Sequence, residues 1–172
     1  AINRHGNLAV GVAGSDAGTI VCSTLNPELG RVGKIEHVDT TYLETLIKSD
    51  YIPVVATVGI GEDGGYYNIN ADVAAGHVAA AIGAQKIVYL TDVDGVYMDF
   101  SDKNSLISNM SLREMEDMLA SGTVDKGMIP KLESCCYALH AGVFRSHVIN
   151  GKTPHSLLIE LLTDKGIGTT MH

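Results

Sequence analysis

The 172-residue chain has no basic block, no long apolar run and few cysteines, and each absence narrows what it can do. Twenty Asp and Glu against twelve Lys and Arg leave a formal charge of -8. Without a cationic patch, nucleic acid and anionic membranes are poor partners. No apolar stretch approaches the ~20 residues of a membrane helix, and there is no signal-peptide pattern, so a cytoplasmic location is expected. Cysteine occurs only at Cys22, Cys135 and Cys136. An odd count with two adjacent argues against a disulfide framework and for a reducing compartment. Cys135-Cys136 is expected to be helix packing with one semi-exposed thiol. The seven histidines form no H-x-x-x-H and no Cys-His cluster, so no structural metal is expected. The chain opens Ala1-Ile2-Asn3-Arg4-His5 without an initiating Met, and the expectation is a processed or excised piece.

Apolar residues make up 45% of the chain, enough for one domain, 1–172, with a sizeable core. Leu8 to Val12 and Thr19 to Thr24 read as strands around a hairpin-like turn at Gly14-Ser15-Asp16-Ala17-Gly18. Pro27, Gly30 and Gly33 mark a loop. Asp39 or Thr41 can cap a helix to about Ser49, and Thr41 with Glu44 spells a capping box. Ile52 to Val58 reads as a strand buried on both faces. Ala71 to Ile82 is a small-residue helix, and Lys86 to Thr91 is another buried strand. Ser111 with Glu114 opens a helix to about Ser121, and Pro130 suits the first turn of the next. Val143 to Ile149 is a strand, Pro154 starts a last helix, and Gly166 to Thr170 closes the chain as a loop. Strands alternating with helices predict an α/β fold: a three-layer, open, mostly parallel sheet with helices on both faces.

The chain is organised around Gly59 to Gly83. Gly59-Ile60-Gly61-Glu62-Asp63-Gly64 spells G-x-G-x-x-G, but the helix starts well after Gly64, and Glu62 and Asp63 would repel a phosphate. A solvated hairpin tip before a helix capped by Asn68 or Asn70 is the bland reading. A third reading gives Asn68 and Asp72 a ligand-side task, on one helix face if the first turn begins near Asn68.

Ile87 to Val96 ends in Asp92-Val93-Asp94-Gly95. An apolar strand followed by D-x-D-G is how haloacid-dehalogenase-type phosphatases present a nucleophilic Asp and an acid/base Asp. The plainer alternative is a turn in which both carboxylates bond backbone and Gly95 takes a positive φ. In a third option, Asp92 accepts hydrogen bonds from a nucleotide at the strand's carboxyl end. Lys131 follows Gly127-Met128-Ile129-Pro130 in the first turn of a helix, where the dipole favours anions and a lysine can hold a phosphate.

Tyr51-Ile52-Pro53-Val54-Val55, Tyr67-Asn68-Ile69-Asn70-Ala71-Asp72, Leu90 to Tyr97, Gly127-Met128-Ile129-Pro130-Lys131 and Gly166-Ile167-Gly168-Thr169 occur in a telling order. Together they resemble the carboxyl-terminal part of the acetylglutamate kinases, within the amino acid kinase family. The resemblance covers essentially the whole chain. It implies transfer of the γ-phosphoryl of ATP, with Mg²⁺, to the side-chain carboxylate of N-acetyl-L-glutamate in arginine biosynthesis. It implies that Asn68 contacts the acyl-amino-acid substrate, that Asp72 orients two catalytic lysines and that Lys131 stabilises the migrating phosphoryl. It further implies ATP contacts from Asp92, Val93, Asp94, Gly95, Val96 and Tyr97, and from Thr123, Val124 and Asp125. A homo-oligomeric parent enzyme follows from it as well. The end, Glu160 to Thr169, resembles the form of arginine-inhibited members, which implies feedback control by arginine.

The chain departs from the family's opening strand: it has no Lys-x-Gly-Gly, and its only Gly-Gly is Gly64-Gly65. The first catalytic lysine, the phosphate-cradling glycines and a substrate-binding Arg are missing, so little or no kinase activity is expected from the chain alone. Two rivals remain: the phosphatase with Asp92 as nucleophile, and a non-catalytic domain that binds a nucleotide or an amino acid.

Overall fold

The computed structural model describes residues 1–163 and 166–172, which form two compact units, Ala1–Ile82 and Gly83–His172.

In the first unit, β1 (Ala9–Ala13) is followed by β2 (Ile20–Thr24), β3 (Gly33–Val38) and α1 (Thr41–Lys48). Next come β4 (Ile52–Ala56), β5 (Val58–Ile60), β6 (Tyr66–Asn68) and α2 (Ala71–Ala81). β1 and β4 pair in parallel, Ala9 against Ile52 through Ala13 against Ala56. The remaining strands form a sheet in the order β3-β2-β5-β6. Its core is Ile20, Cys22, Ile35, Tyr67, Ile69 and Ala74. Burying a side chain such as Ile20, fully enclosed here, contributes about 1.5–3 kcal/mol.

Several expectations are corrected here. The turn after β1 is not a hairpin, because β1 pairs with β4 and β2 with β3 and β5. Gly14 instead lets the chain cross between sheets, since a Cβ there would stand 2.7 Å from the Val58 carbonyl oxygen. The strand expected over Ile52 to Val58 breaks at Thr57 into β4 and β5. It is not buried on both faces: Ile52 and Val54 are 48% and 50% exposed. β3 begins at Gly33, the end of the expected loop, and is not among the strands expected from the sequence. The capping box expected of Thr41 and Glu44 is not formed: Thr41 is already the first helical residue, Asp39 Oδ1 accepts its N–H, and the Thr40 hydroxyl donates to the Glu44 side chain.

The second unit runs β7 (Lys86–Thr91), β8 (Asn109–Met110), α3 (Leu112–Ser121), α4 (Ile129–His140), β9 (Arg145–Asn150), α5 (Ser156–Leu162) and β10 (Thr169–Met171). The sheet order is β7-β9-β10-β8. β7 and β9 are parallel, as are β10 and β8; β10 and β9 are antiparallel. The expected α/β architecture, with mostly parallel strand pairing and interleaved helices, is therefore present. α3 carries the Ser111–Glu114 capping box in full and ends on Gly122 in the left-handed conformation. α4 joins β7 through a buried 2.6 Å bond between Tyr89 OH and Ser134 Oγ. All three cysteines are buried, and none is in a disulfide. Neither member of the Cys135-Cys136 pair is semi-exposed, which corrects that expectation, and burial pushes the Cys136 thiol up to about 11. The closing loop is also corrected: from Thr169 it is a strand, bonded on both sides.

Candidate functional site

In the parallel pair β7–β9, Thr91 lies opposite Asn150, so both strands deliver their carboxyl ends to one place. This is where open α/β sheets build ligand sites. The backbone then turns through Asp92 to Tyr97. Thr91 Oγ1 accepts the Val93 N–H at 3.1 Å and donates to the Val93 carbonyl at 2.7 Å. Asp94 is held from two sides, by Asn150 Nδ2 at 2.8 Å and by Tyr97 OH at 2.9 Å. The Asn150 and Tyr97 bonds hold the Asp94 carboxyl below the usual aspartate range. Burial and the bond to Asp94 push the Tyr97 phenol up. Asp92 stays exposed.

Gly95 is not in a positive-φ conformation, contrary to the plain-turn expectation. It is needed for close approach, since a Cβ there would stand 2.6 Å from Thr169 Oγ1. Nor does Asp94 bond backbone as that reading supposed; its partners are side chains. An acid/base role for Asp94 in phosphatase chemistry is disfavoured, because both its oxygens are already engaged.

Thr123, Val124 and Asp125 join this turn. They line a small cavity of about 30 Å³ together with Gly95, Val96 and Tyr97. That is room for one water. A wider apolar cleft of about 290 Å³ shares Met98, Met118 and Thr123 with it. Asp125 sets the start of α4: its Oδ1 accepts the Gly127 N–H and its carbonyl accepts those of Met128 and Ile129. Lys131 is the third residue of α4, half-buried, in the turn where helix N–H groups and the dipole favour an anion.

Asn68 and Asp72 belong to the first unit. Helix α2 begins at Ala71, so Asn68 ends strand β6, and the two do not share a helical face. Asn70 is the cap, its Oδ1 accepting the Asp72 and Val73 N–H groups. Asp72 is half-buried in the first turn. The G-x-G-x-x-G spelling is a hairpin: Gly61 N–H donates to the Gly65 carbonyl, and Gly64 N–H to that of Gly61. Arg31 pins this hairpin with a 2.6 Å bond to Asp63 and its guanidinium 4.9 Å from the Tyr67 ring centre. The Gly65 N–H and then Arg31 hold the Asp63 carboxyl below the usual range. The Arg31 carbonyl also accepts the Asn68 N–H at 2.8 Å. In sequence, Arg31 looks like loop punctuation between glycines.

A polar cavity of about 730 Å³ in the second unit is lined by Lys86, Arg145, His147, Glu160, Thr170 and His172, among others. His147 Nδ1 and Glu160 Oε1 meet at 2.8 Å, both nearly fully buried. Burial works to raise the Glu160 carboxyl, but bonds from Ile167 N–H, His147 and Gly168 N–H outweigh it and leave it below the ordinary glutamate value. His147 Nε2 is buried and meets no partner among the described residues. Sequence reasoning reached Glu160 only through the closing motif and missed His147. Asp164 and Lys165 of that motif lie outside the described residues.

Residues 1–150 match the amino acid kinase family, a stretch that runs through both units. The chain belongs to that family. It is 48% identical over 175 residues to the acetylglutamate kinase of Corynebacterium urealyticum, covering 98% of this chain and 57% of that protein. It is 47% identical over 180 residues to the acetylglutamate kinase of Pelotomaculum thermopropionicum, covering 98% and 61%. The chain thus spans roughly three fifths of the length of these amino acid kinases. Among solved structures it resembles the N-acetylglutamate synthase of Neisseria gonorrhoeae at 26% identity. The complex with coenzyme A and N-acetyl-glutamate gives a TM-score of 0.83 over 96% of this chain and 38% of that one. The complex with coenzyme A and L-arginine gives 0.81 over 95% and 37%.

Proposed function

We propose that this chain is the nucleotide-side portion of an acetylglutamate kinase, with part of the acceptor site. The observation that carries the reading is near-half identity to proteins of that name along 98% of the chain. In this reading a side-chain carboxylate oxygen of N-acetyl-L-glutamate attacks the γ-phosphorus of ATP, the bond to the β-phosphate oxygen breaks, and an acyl phosphate and ADP result. The acceptor is already ionised and needs no general base, so positioning and charge neutralisation remain. Lys131 neutralises the moving phosphoryl, Asp72 holds lysines charged and aimed, and Asn68 contacts the acyl-amino-acid. Asp92 to Tyr97 and Thr123 to Asp125 contact the nucleotide. Mg²⁺ enters on the nucleotide phosphates and offsets their charge; among the described residues, no group of three or more His, Cys, Asp or Glu stands ready to hold a metal by itself. The parent enzyme is a cytoplasmic homo-oligomer in this reading. No described helix is long and apolar enough to cross a membrane.

Calorimetric titration with Mg²⁺ and a non-hydrolysable ATP analogue tests the nucleotide part. Saturable binding weakened by Lys131→Ala and by Asp92→Ala is expected. Absence of binding by folded chain would overturn it. Because the chain lacks Lys-x-Gly-Gly, turnover by the pure chain is expected to stay at the level of Lys131→Ala; steady activity well above that control would overturn the view that it is incomplete.

Arginine control is a second reading, supported by the polar cavity at Glu160, which is lined by polar and charged side chains, and by the arginine complex of the synthase. The carboxylate of an amino acid offers a complement to Lys86 and Arg145 of that lining. Titration of the chain with arginine is expected to give binding that is lost in Glu160→Gln; no heat from wild-type chain would sink the idea at this site.

A further inference from the structure

Thr169 is the first residue of β10 and is fully buried, 73 positions along the chain from Val96. Its hydroxyl accepts the Val96 N–H at 2.8 Å and donates to the Ile107 carbonyl at 2.6 Å. The Ile107 N–H in turn donates to the Val96 carbonyl at 2.9 Å. These three bonds close a ring through Val96, Thr169 and Ile107. The ring spends the hydroxyl's donor and one of its acceptor sites, and both polar groups of the Val96 backbone.

The contact is steric as well as polar. A Cβ on Gly95 would stand 2.6 Å from Thr169 Oγ1 and 3.1 Å from its backbone nitrogen. A Cβ on Gly168 would collide with the Val148 carbonyl and approach the Asp94 carbonyl to 3.2 Å. The two buried residues of the Asp92–Tyr97 turn, Gly95 and Val96, therefore rest on Thr169, and Asp92 and Asp94 are left exposed on it. The Gly168 and Ile167 N–H groups are held by Glu160 Oε2, at 3.2 and 2.8 Å. The platform is thereby anchored one step farther from the turn.

We propose that Thr169 is a positioning residue for nucleotide binding: it touches no nucleotide and fixes the backbone of the turn that does. The inference rests on the nucleotide reading of Asp92 to Tyr97. A buried hydroxyl is the suitable device, because it satisfies an amide and a carbonyl at once. Valine has the same shape and would leave both backbone groups unpaired, which is costlier than losing one bond.

The test is calorimetric titration of wild-type chain, Thr169→Val and Thr169→Ser with Mg²⁺ and adenylyl imidodiphosphate, well below each melting temperature. Amide exchange at Val96 is followed by NMR. Thr169→Val is expected to weaken binding by about tenfold or more and to speed Val96 exchange, while the β2 amides of the first unit keep their rates. Thr169→Ser restores the hydroxyl and is expected to stay within about twofold of wild type in affinity, even where its melting temperature falls. A structural role alone would lower the melting temperature of both variants and leave the affinities equal. Wild-type binding with unchanged affinity in Thr169→Val overturns the role of Thr169 alone. No binding by wild-type chain overturns the nucleotide reading, and this inference with it. Should Thr169→Val not fold, Thr169→Cys keeps the volume with a poor acceptor, and unchanged affinity there overturns the role equally.

Discussion

Asn150, the last residue of β9, donates through Nδ2 to Asp94 Oδ1 at 2.8 Å, across 56 positions of sequence. This bond ties the turn after β7 to the neighbouring strand at the level where Thr91 and Asn150 lie side by side. Asn150→Ala is expected to leave the chain folded, since Asn150 is half-buried and Asp94 exposed, and to weaken binding of the ATP analogue by about three- to tenfold. Calorimetry beside wild type checks this; equal affinities would make the bond ornamental.

The buried His147–Glu160 pair predicts an acid-side loss of stability. The Glu160 carboxyl lies below its ordinary value of about 4.5 in the fold. The unfolded chain thus binds the proton more readily, and stability rises with pH between the folded and ordinary values. Its contribution is complete above about pH 4.5 and disappears as pH falls through the folded value. Urea denaturation midpoints of wild type and Glu160→Gln are expected to converge as pH drops below that window. At neutral pH, Glu160→Gln should cost about 1–3 kcal/mol, because buried donors lose their acceptor.

Asn68 and Asn70 are expected to separate cleanly. Asn70 satisfies two N–H groups of α2, so Asn70→Ala should cost about 1 kcal/mol, read from thermal or urea unfolding. The exposed side chain of Asn68 makes no capping bond, so Asn68→Ala should leave unfolding unchanged. Weaker binding of N-acetyl-L-glutamate in Asn68→Ala would support its assigned contact; unchanged binding would remove Asn68 from the site.

Gly14→Ala should destabilise the first unit by about 1–3 kcal/mol, since the added carbon meets a backbone carbonyl that cannot swing away. The unfolding midpoint checks this. A shift no larger than that of Gly11→Ala, whose Cβ would meet nothing within 4 Å, would contradict it.

Native chain should show slow labelling at all three thiols with Ellman's reagent near pH 8, and fast labelling of three once denatured. All are buried, and Cys136 is pushed up to about 11, so the thiolate that reacts is scarce. One fast thiol in native chain would restore the semi-exposed reading.

Local signals were legible where the cause is local. Ser111 and Glu114 cap α3 as spelled, Gly122 ends it, and the β-branched run Ile87-Val88 opens β7. The spacing of Tyr67 to Asp72 and of Gly127 to Lys131 marked the family. What failed was partner choice. β1 and β2 flank a turn that looks like a hairpin, yet each bonds to other strands, because pairing depends on groups distant in sequence. Gly95 resembles a turn glycine, and its true constraint is Thr169, far along the chain.

Composition, charge, the α3 cap and the family motifs are therefore properties the amino-acid sequence determines alone, since they follow from nearest-neighbour sterics and from residue identity. Tertiary structure decided that Asn150 holds Asp94, that Thr169 carries Gly95 and Val96, that Arg31 pins the Asp63 hairpin, and that His147 finds Glu160. Each of these is a hydrogen bond or ion pair set by a distance of about 3 Å between residues far apart in the chain. No local pattern encodes that distance; only the packing of strands and helices brings the atoms together.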